Sequence, residues 1–301
     1  MGDLIQLAEG KVIDKKWRVE KKLGEGAFGA VYKCTDEKKN VFALKVEGKD
    51  EKIQLLKMEV IVLNKLRDEH LNRHFCKIED KGQVENFNYV VMTFVGTSLA
   101  DLRMEAPNKH FSLGTALSVG IQCLEALEDL HSIGYLHRDV KPGNYTMGRR
   151  EVGEIRKVYV LDFGMVRKFV HEDGTIRNPR QQAGFRGTVK YAPLSSHLNR
   201  ELCRKDDVES WLYQQSQDEI GVMKKKCRKD RGLKQLFGNC PRQFIDILAL
   251  VDGCKFFDAP DYAKIYELMR AAIKSTGAKE YPYDFEKPPA PPAAPPVAPA
   301  K

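Results

Sequence analysis

The first third of the chain alternates between short apolar runs and charged turns. Trp17 to Leu23 alternates apolar with polar residues and leads into glycines, and Ala30 to Thr35 follows, so the two runs predict a β-hairpin. Val41 to Val46 and Phe87 to Val95 predict two further strands. Asp50 to Leu66 predicts a helix between them. The apolar side of this helix consists of Ile53, Leu56, Val60, Leu63 and Leu66.

In the rest of the chain the apolar periodicity is mainly helical. Phe111 to His131 carries leucine or isoleucine at helical spacing, and Gly134 is expected to end this helix. A short apolar strand, Val158 to Leu161, interrupts the helical pattern. Arg242 to Val251 and Pro260 to Ile273 predict two more packing helices. A strand-rich first third is thus followed by a helix-rich remainder.

Composition narrows the class of protein. With 301 residues, 42% of them apolar, the chain is long enough to bury a large core. A net charge of +8 and a pI near 9.0 favour acidic or phosphorylated partners, or cytoskeletal or nucleic-acid surfaces, without choosing among them. The seven cysteines are dispersed and form no C-x-x-C pair, which indicates reduced intracellular thiols rather than disulfides or a zinc site.

No segment predicts export or membrane insertion. The N-terminus lacks an apolar signal core, and Gln6 stands where a myristoylation pattern needs Ser or Thr. No apolar run approaches the length that spans a membrane. We therefore expect a soluble intracellular protein, located in the cytoplasm or the nucleus.

Candidate catalytic chemistry is concentrated in the stretch His137-Arg138-Asp139-Val140-Lys141-Pro142-Gly143-Asn144. Asp139 can accept a proton from a hydroxyl group, Lys141 can hold a phosphoryl oxygen, and Asn144 can offer a neutral oxygen to Mg²⁺. These groups in one loop are suited to phosphoryl transfer. Further along, Asp162 follows a predicted strand and precedes Phe163 and a flexible glycine, which suits a second magnesium ligand.

Gly24, Gly26 and Gly29 form a G-x-G-x-x-G pattern inside the predicted hairpin. A dinucleotide-binding fold would use the same pattern, but a helix should then follow at once. A glycine-rich hairpin tip lets backbone amides lie over phosphates instead. Lys45 interrupts an apolar strand, and Glu59 falls within the apolar side of the next helix. Because a carboxylate aimed at a core needs a cation, we expect a Lys45–Glu59 ion pair.

Together these segments resemble the protein-kinase family, in which a catalytic loop H-R-D-x-K-x-x-N precedes a D-F-G triplet. The resemblance implies an α+β, bilobal kinase fold with a small β-rich N-lobe and a larger, mainly helical C-lobe. It also implies ATP and Mg²⁺ as cofactors. The glycines would cover the phosphates, Lys45 would orient them, and Asn144 and Asp162 would hold the metal. The nucleotide site would be completed by Leu23, Val31, Ala43, Met92 and Phe94.

The resemblance also sets domain boundaries. Residues 1–16 would be an N-terminal extension, 17–95 the N-lobe, 96–285 the C-lobe and 286–301 a disordered Pro/Ala-rich tail. The tail favours an extended polyproline conformation that could bind an SH3-type domain, with a flexible tail as the simpler interpretation. The basic run Lys224–Lys229 could meet an acidic partner, with a solvated helix face as the simpler interpretation.

A closer resemblance is to the casein kinase one superfamily, and within it to the tau-tubulin kinase branch. The superfamily is indicated by Gly184-Phe185-Arg186-Gly187-Thr188-Val189-Lys190-Tyr191-Ala192, by Asn199-Arg200-Glu201 and by the run Asp206 to Tyr213. The branch is indicated by Phe87 to Met92, Ser98 to Leu102 and Met147-Gly148-Arg149. The likeness extends from about Trp17 to Phe285.

This closer resemblance implies a serine/threonine kinase. Lys141 and Thr188 support it, because they occupy the positions where such kinases contact the γ-phosphate and brace the catalytic aspartate. It also implies acidic or pre-phosphorylated protein substrates, with cytoskeletal proteins among the candidates. Arg180, Arg186 and Lys190 would then supply an anion site, although loop residues of this kind are often only solvated.

Two departures from the family pattern keep other functions open. Ala192-Pro193-Leu194 lacks the glutamate of the A-P-E motif, but the casein kinase one superfamily lacks it too, so this departure is minor and the second is the serious one. After Tyr213 the chain enters the polar run Gln214–Glu219, so the second half of the central C-lobe helix and the following loop are absent relative to the family. Asp207, which tethers the catalytic loop in kinases, is retained. The rival function is a non-catalytic scaffold, either a pseudokinase or a truncated isoform. A nucleic-acid-binding role rests on charge alone, and neither a specific nucleic acid nor a membrane is expected as a partner.

Overall fold

The computed structural model describes residues 5–26, 29–49, 51, 54–84, 86–214, 228, 231–238 and 240–286. The N-terminal part is a six-stranded antiparallel sheet in the order β1-β2-β3-β4-β6-β5. Its strands are β1 (Val12–Ile13), β2 (Trp17–Gly26), β3 (Gly29–Thr35), β4 (Val41–Gly48), β5 (Ile78–Val84) and β6 (Phe87–Thr93). The predicted hairpin and the two neighbouring strands are therefore confirmed.

The sheet begins before the expected boundary at residue 17. Strand β1 pairs with the start of β2. The hydroxyl of Tyr32 accepts the N–H of Leu7 at 3.0 Å and lies 3.2 Å from the carbonyl oxygen of Ile5, to which it donates. Most of the expected N-terminal extension thus packs as part of the strand-rich region.

Helix α1 (Leu55–Asp68) begins later than the predicted start at Asp50, a residue outside the described ranges. Its buried residues are Leu56, Glu59, Val62, Leu63 and Leu66. Val60 is half-buried, because Val62 lies closer to the buried stripe set by Leu63 and Leu66. Glu59 lies inside this stripe, as the pattern predicts.

The C-terminal part is mainly helical. Its helices are α2 (Leu99–Glu105), α3 (Leu113–Ser132), α4 (Leu194–His197), α5 (Arg204–Gln214), α6 (Arg231–Phe237), α7 (Gln243–Gly253) and α8 (Tyr262–Thr276). Two short antiparallel ladders lie among them. They join β7 (Tyr135–Leu136) to β10 (Arg167–Lys168), and β8 (Tyr145–Met147) to β9 (Val158–Val160). The strand-rich and helical regions are those of the bilobal α+β fold that the resemblance implies.

Helix α3 is the main buried helix of the C-terminal part. The side chain of Ser112 caps its first turn by accepting the N–H of Thr115. The helix ends at Ser132, and Gly134 two positions later adopts φ +84°, a conformation that favours glycine. A Cβ atom at this position would lie 2.4 Å from Cγ2 of Val170. The predicted end of the helix is confirmed, and the start of the catalytic loop is fixed with it.

Helix α5 carries the residues that precede the predicted interruption. Trp211 is fully buried and its indole N–H donates to the carbonyl of Gly120 in α3 at 2.9 Å. Residues 215–227, which hold most of the polar run and most of the basic run, lie outside the described residues, as does the tail from residue 287. Within the described ranges no helix is long and apolar enough to cross a membrane.

Candidate active site

The catalytic loop places its predicted groups around one carboxylate. Lys141 Nζ lies 2.6 Å from Asp139 Oδ2, and the hydroxyl of Thr188 donates to Asp139 Oδ1 at 2.8 Å. Lys141 also donates to the Thr188 oxygen at 3.0 Å. Burial alone would raise the pKa of Asp139, but the hydrogen bonds and the positive charge of Lys141 outweigh it, so this pKa lies below its usual value. Asp139 is therefore ionised and oriented near neutral pH.

Asn144 is oriented by the same loop. Its Nδ2 donates to the carbonyl of Asp139 at 2.9 Å and lies 3.3 Å from the Asp139 carboxylate. With the amide nitrogen used in this way, the amide oxygen is the atom that Asn144 presents to a cation. Asp162 adopts φ +64°, and its Oδ1 accepts the N–H of Gly164 at 3.2 Å.

The side-chain oxygens of Asn144 and Asp162 are suitable ligands for Mg²⁺. This ion prefers oxygen ligands and is usually bound through one or two carboxylates together with substrate phosphates. In the described part of the chain, no group of three or more His, Cys, Asp or Glu residues forms a complete metal site. Asp162 and Asn144 also line one cavity of about 340 Å³ together with Gly24, Gly29 and Lys45. The two residues would therefore hold a magnesium ion jointly with a nucleotide.

Lys45 and Glu59 form the predicted ion pair. Lys45 Nζ lies 2.6 and 2.8 Å from the two carboxylate oxygens of Glu59. Burial works to lower the pKa of Lys45, but the charge and hydrogen bonds of Glu59 and the charge of Asp162 raise it above its usual value. The ammonium group is thus charged and lies in the cavity that contains Asp162.

An apolar cavity of about 850 Å³ continues from Lys45 to the segment joining the two regions. Its walls include all five residues predicted for the nucleotide site, Leu23, Val31, Ala43, Met92 and Phe94. The sequence analysis gave Arg149 no role in the nucleotide site, yet its guanidinium lies 5.2 Å from the ring centre of Phe94 and donates to the Phe94 carbonyl at 3.1 Å. The cavity has the mainly apolar lining that an adenine ring needs.

Gly24 and Gly29, on the two strands that lead to the predicted hairpin tip, line the cavity that contains Asp162. Gly26 and Gly29 face each other across the ends of β2 and β3. Gly29 has φ +145°, and a Cβ atom there would lie 2.0 Å from the carbonyl oxygen of Val46. Only glycine fits at this crossing, so Gly29 is required for the close approach of the hairpin to β4.

A buried aspartate holds the catalytic loop. The carboxylate of Asp207 in α5 accepts the backbone N–H groups of His137 at 2.7 Å and Arg138 at 2.8 Å. His131 Nε2 lies 2.8 Å from the same carboxylate, and the hydroxyl of Tyr262 contacts the other ring nitrogen of His131. Burial would raise the pKa of Asp207, but the hydrogen bonds and charges of its partners lower it. The retained aspartate therefore tethers the loop.

The three residues predicted for the anion site each have an interaction partner within the protein. Arg180 forms two hydrogen bonds with Glu201, so that carboxylate neutralises its charge. Arg186 Nη1 donates to the carbonyl of Phe185 at 2.9 Å, and Lys190 Nζ lies 5.8 Å from the ring centre of Tyr191. A glutamate 21 positions away in the sequence binds Arg180, and the assignment of Arg180 to an anion site stays a prediction.

A different basic cluster lies nearby. Burial, together with the positive charges of Arg167 and Arg186, lowers the pKa of Arg138 to about 10. Of these three, only Arg186 was among the predicted anion residues. Arg138 donates to the carbonyl of Met165 at 2.6 Å, which places its guanidinium beside the segment that follows Asp162. Arg167 Nε lies 3.5 Å from the carboxylate of Glu201, so this one carboxylate is shared by Arg167 and Arg180. The guanidinium groups still outnumber it, which suits an anionic substrate.

The substrate loop is the segment from Met165 to Ala192. Its end lacks the glutamate of the A-P-E motif, but a glutamate of α5 holds it instead. Glu209 in α5 accepts the N–H of Leu194 at 2.8 Å and pairs with Arg228 at 2.9 Å. Arg228 also lies 2.8 Å from the carboxylate of Asp252 in α7. A residue from beyond the interrupted segment thus joins α5, α7 and the loop end.

We expect Arg228→Met to lower the free energy of unfolding by about 3 kcal/mol, because it leaves Glu209 buried without its cation. Urea unfolding followed by the fluorescence of buried Trp211 measures this. The double variant Arg228→Met/Glu209→Gln removes both charges and should recover most of the loss. Wild-type stability in Arg228→Met would mean that the Glu209–Arg228 pair does not form in solution.

The fold and the arrangement of Asp139, Lys141, Asn144 and Lys45 are those of an enzyme of the phosphoryl-transfer class, whose residues would hold a nucleotide and a magnesium ion. The family model of the protein kinase domain matches residues 17–194. A probable serine/threonine-protein kinase of Dictyostelium discoideum is 36% identical over 298 residues, covering 94% of this chain and 59% of that protein.

Two proteins of Caenorhabditis elegans are also similar. The serine/threonine-protein kinase spe-6 is 34% identical over 301 residues, covering 93% of this chain and 78% of that protein. A putative casein kinase I is 31% identical over 303 residues, covering 94% of this chain and 86% of that protein. The chain belongs to the protein kinase family, and its relatives place it among the serine/threonine kinases, with a casein kinase I-like protein among them.

Proposed function

We propose that this chain is an active serine/threonine protein kinase of the tau-tubulin kinase branch. It transfers the γ-phosphoryl group of ATP to Ser or Thr hydroxyls of protein substrates. The observation that carries the proposal is the ionised Asp139 carboxylate, bound by Lys141 and Thr188. The nucleotide cavity and the candidate magnesium ligand Asn144 lie beside it.

Each group has a role in the transfer. Asp139 orients the substrate hydroxyl and takes its proton as the oxygen attacks phosphorus. Lys141 neutralises charge that develops on the transferred phosphoryl oxygens. Thr188 fixes the rotamer of Asp139 and links the catalytic loop to the substrate loop. Lys45, oriented by Glu59, binds the nucleotide phosphates, and bound Mg²⁺ would neutralise the β- and γ-phosphate oxygens.

We propose that the substrates are acidic or pre-phosphorylated proteins. The net charge of +8 and the cluster of Arg138, Arg167 and Arg186 support this. A cytoskeletal substrate, a cytoplasmic or nuclear location and an SH3-type partner for the proline-rich tail are proposals that rest on the sequence.

Substrate preference can be measured with two serine peptides that differ only in one phosphoserine near the acceptor. We expect the phosphorylated peptide to have a kcat/KM at least about tenfold higher, the effect of one or two charge-assisted hydrogen bonds. Arg186→Ala should remove most of this preference and leave turnover of the plain peptide unchanged. Arg18→Ala, an exposed arginine on β2, is the matched control. Equal kcat/KM values for the two peptides in the wild type would contradict the proposed substrate class.

The scaffold function remains the second candidate, because the polar run after Tyr213 departs from the family pattern. The intact arrangement of Asp139, Lys141, Asn144, Lys45 and Glu59 supports the enzyme instead. A scaffold has no need to keep the lysine, carboxylate and amide groups in this geometry.

A further inference from the structure

Glu47 is a buried carboxylate to which the mechanism gives no role. It lies on β4 two positions after Lys45, and its side chain is only 2% exposed. Its Oε1 accepts the backbone N–H groups of Leu55 at 2.8 Å and Leu56 at 3.3 Å, the first two residues of α1. Its Oε2 is buried, and within the described residues it has no hydrogen-bond partner.

Helix α1 lacks a cap of its own. Gln54 occupies the N-cap position without a side-chain hydrogen bond to the helix, and the first turn carries no acidic residue. The first N–H groups of a helix have no partner within the helix, and the partial positive charge at this end favours an anion. Glu47 supplies both the acceptor and the charge from the neighbouring strand.

Strand β4 therefore binds α1 at two points. Glu47 holds the first turn, and Lys45 binds Glu59 one turn further along. Side chains two residues apart on a strand point to the same face, so both contacts come from one face of β4. Two contacts on one rigid strand fix the position of the helix along its axis and its rotation about it.

We propose that Glu47 is a positioning residue for the phosphate site. It places α1 so that Glu59 reaches Lys45, and through this pair it sets the affinity of the chain for the phosphates of ATP. This inference rests on the proposed function for its kinetic consequence, but its effect on nucleotide binding does not require turnover.

A purely structural cap would not need this carboxylate. Burial raises the pKa of Glu47, and the charges of Glu51 and Glu59 raise it further, against the hydrogen bonds from Leu55 and Leu56. A serine or aspartate at position 54 would satisfy the same N–H groups at the surface without burying a charge. Glu47 instead lines the cavity of Lys45, Glu59 and Asp162, where the position of the helix bears on phosphate binding.

The test is a double-variant cycle of Glu47→Ala and Glu59→Gln, measured as the affinity for a fluorescent ATP analogue with Mg²⁺. We expect Glu47→Ala to weaken binding about tenfold, since a helix cap of this kind is worth about 1 to 2 kcal/mol. In the Glu59→Gln background the same substitution should have no further effect. Glu47→Gln, which keeps an acceptor oxygen and the side-chain shape, should recover part of the affinity.

Two controls separate positioning from general destabilisation. Glu69→Ala, at the exposed C-terminal end of α1, should leave nucleotide affinity unchanged. In kinetic assays, Glu47→Ala should raise KM for ATP without changing KM for the peptide. Unchanged nucleotide affinity in Glu47→Ala, or effects of Glu47→Ala and Glu59→Gln that multiply in the double variant, would overturn the proposal. A chain without kinase activity would contradict the proposed function. The nucleotide affinities of the Glu47 and Glu59 variants could still be compared, because binding is measured directly.

Discussion

Asp139→Asn should lower kcat by about two to four decades, the usual contribution of a positioned general base. The amide preserves the size of the side chain but cannot take a proton from the substrate hydroxyl. The nucleotide cavity does not depend on this charge, so affinity for Mg-ATP should stay close to that of the wild type. Single-turnover phosphorylation of a serine peptide, with nucleotide affinity measured in parallel, gives both values.

Asp173→Asn is a suitable control for this variant. Asp173 lies in the loop that follows Asp162, is exposed, and bonds only within its own turn to Thr175 in the described structure. Its rate should equal that of the wild type. If the Asp139→Asn variant keeps more than about a tenth of the wild-type rate, Asp139 is not the general base.

Asp207→Asn should have the largest effect on stability, lowering the free energy of unfolding by about 3 to 5 kcal/mol. The asparagine places an NH₂ group where the carboxylate now accepts from His137, Arg138 and His131. Buried donors would then face a donor, and the loop that carries Asp139 would lose its tether. Urea unfolding of wild type and variant measures the difference, and kcat should fall as well because the loop shifts.

Asp68→Asn provides the comparison for Asp207. Asp68 pairs with Arg67 on the surface, where both side chains are more than half exposed. Such pairs contribute little, so this variant should unfold at the wild-type urea concentration. Equal stability of Asp207→Asn and the wild type would show that the hydrogen bonds to Asp207 are not maintained in solution.

The proposed catalytic groups could be recognised in the sequence because they lie in short contiguous motifs. Asp139, Lys141 and Asn144 occupy one loop, and the geometry confirms their mutual contacts. The Lys45–Glu59 pair was predictable for a different reason. A charged residue among apolar residues requires a partner of opposite charge, and Lys45 and Glu59 carry opposite charges.

Partners joined by the tertiary fold alone could not be predicted. Glu201 binds Arg180, and Arg228 binds Glu209, without any local pattern that links them. Arg167 joined the basic cluster only because β10 pairs with β7 beside the catalytic loop. Glu47 resembles an ordinary polar position on a strand until the start of α1 is known. The predicted helix begins at Asp50 and the observed one at Leu55, so the sequence did not show that the N–H groups of Leu55 and Leu56 need an acceptor.

The central claim is tested most directly by transfer of labelled γ-phosphate from Mg-ATP to an acidic protein, followed by analysis of the phosphorylated amino acids. We predict label on serine and threonine, none on tyrosine, and loss of the label with Asp139→Asn. No transfer by a folded, monodisperse protein that binds ATP would contradict the account and favour the scaffold function.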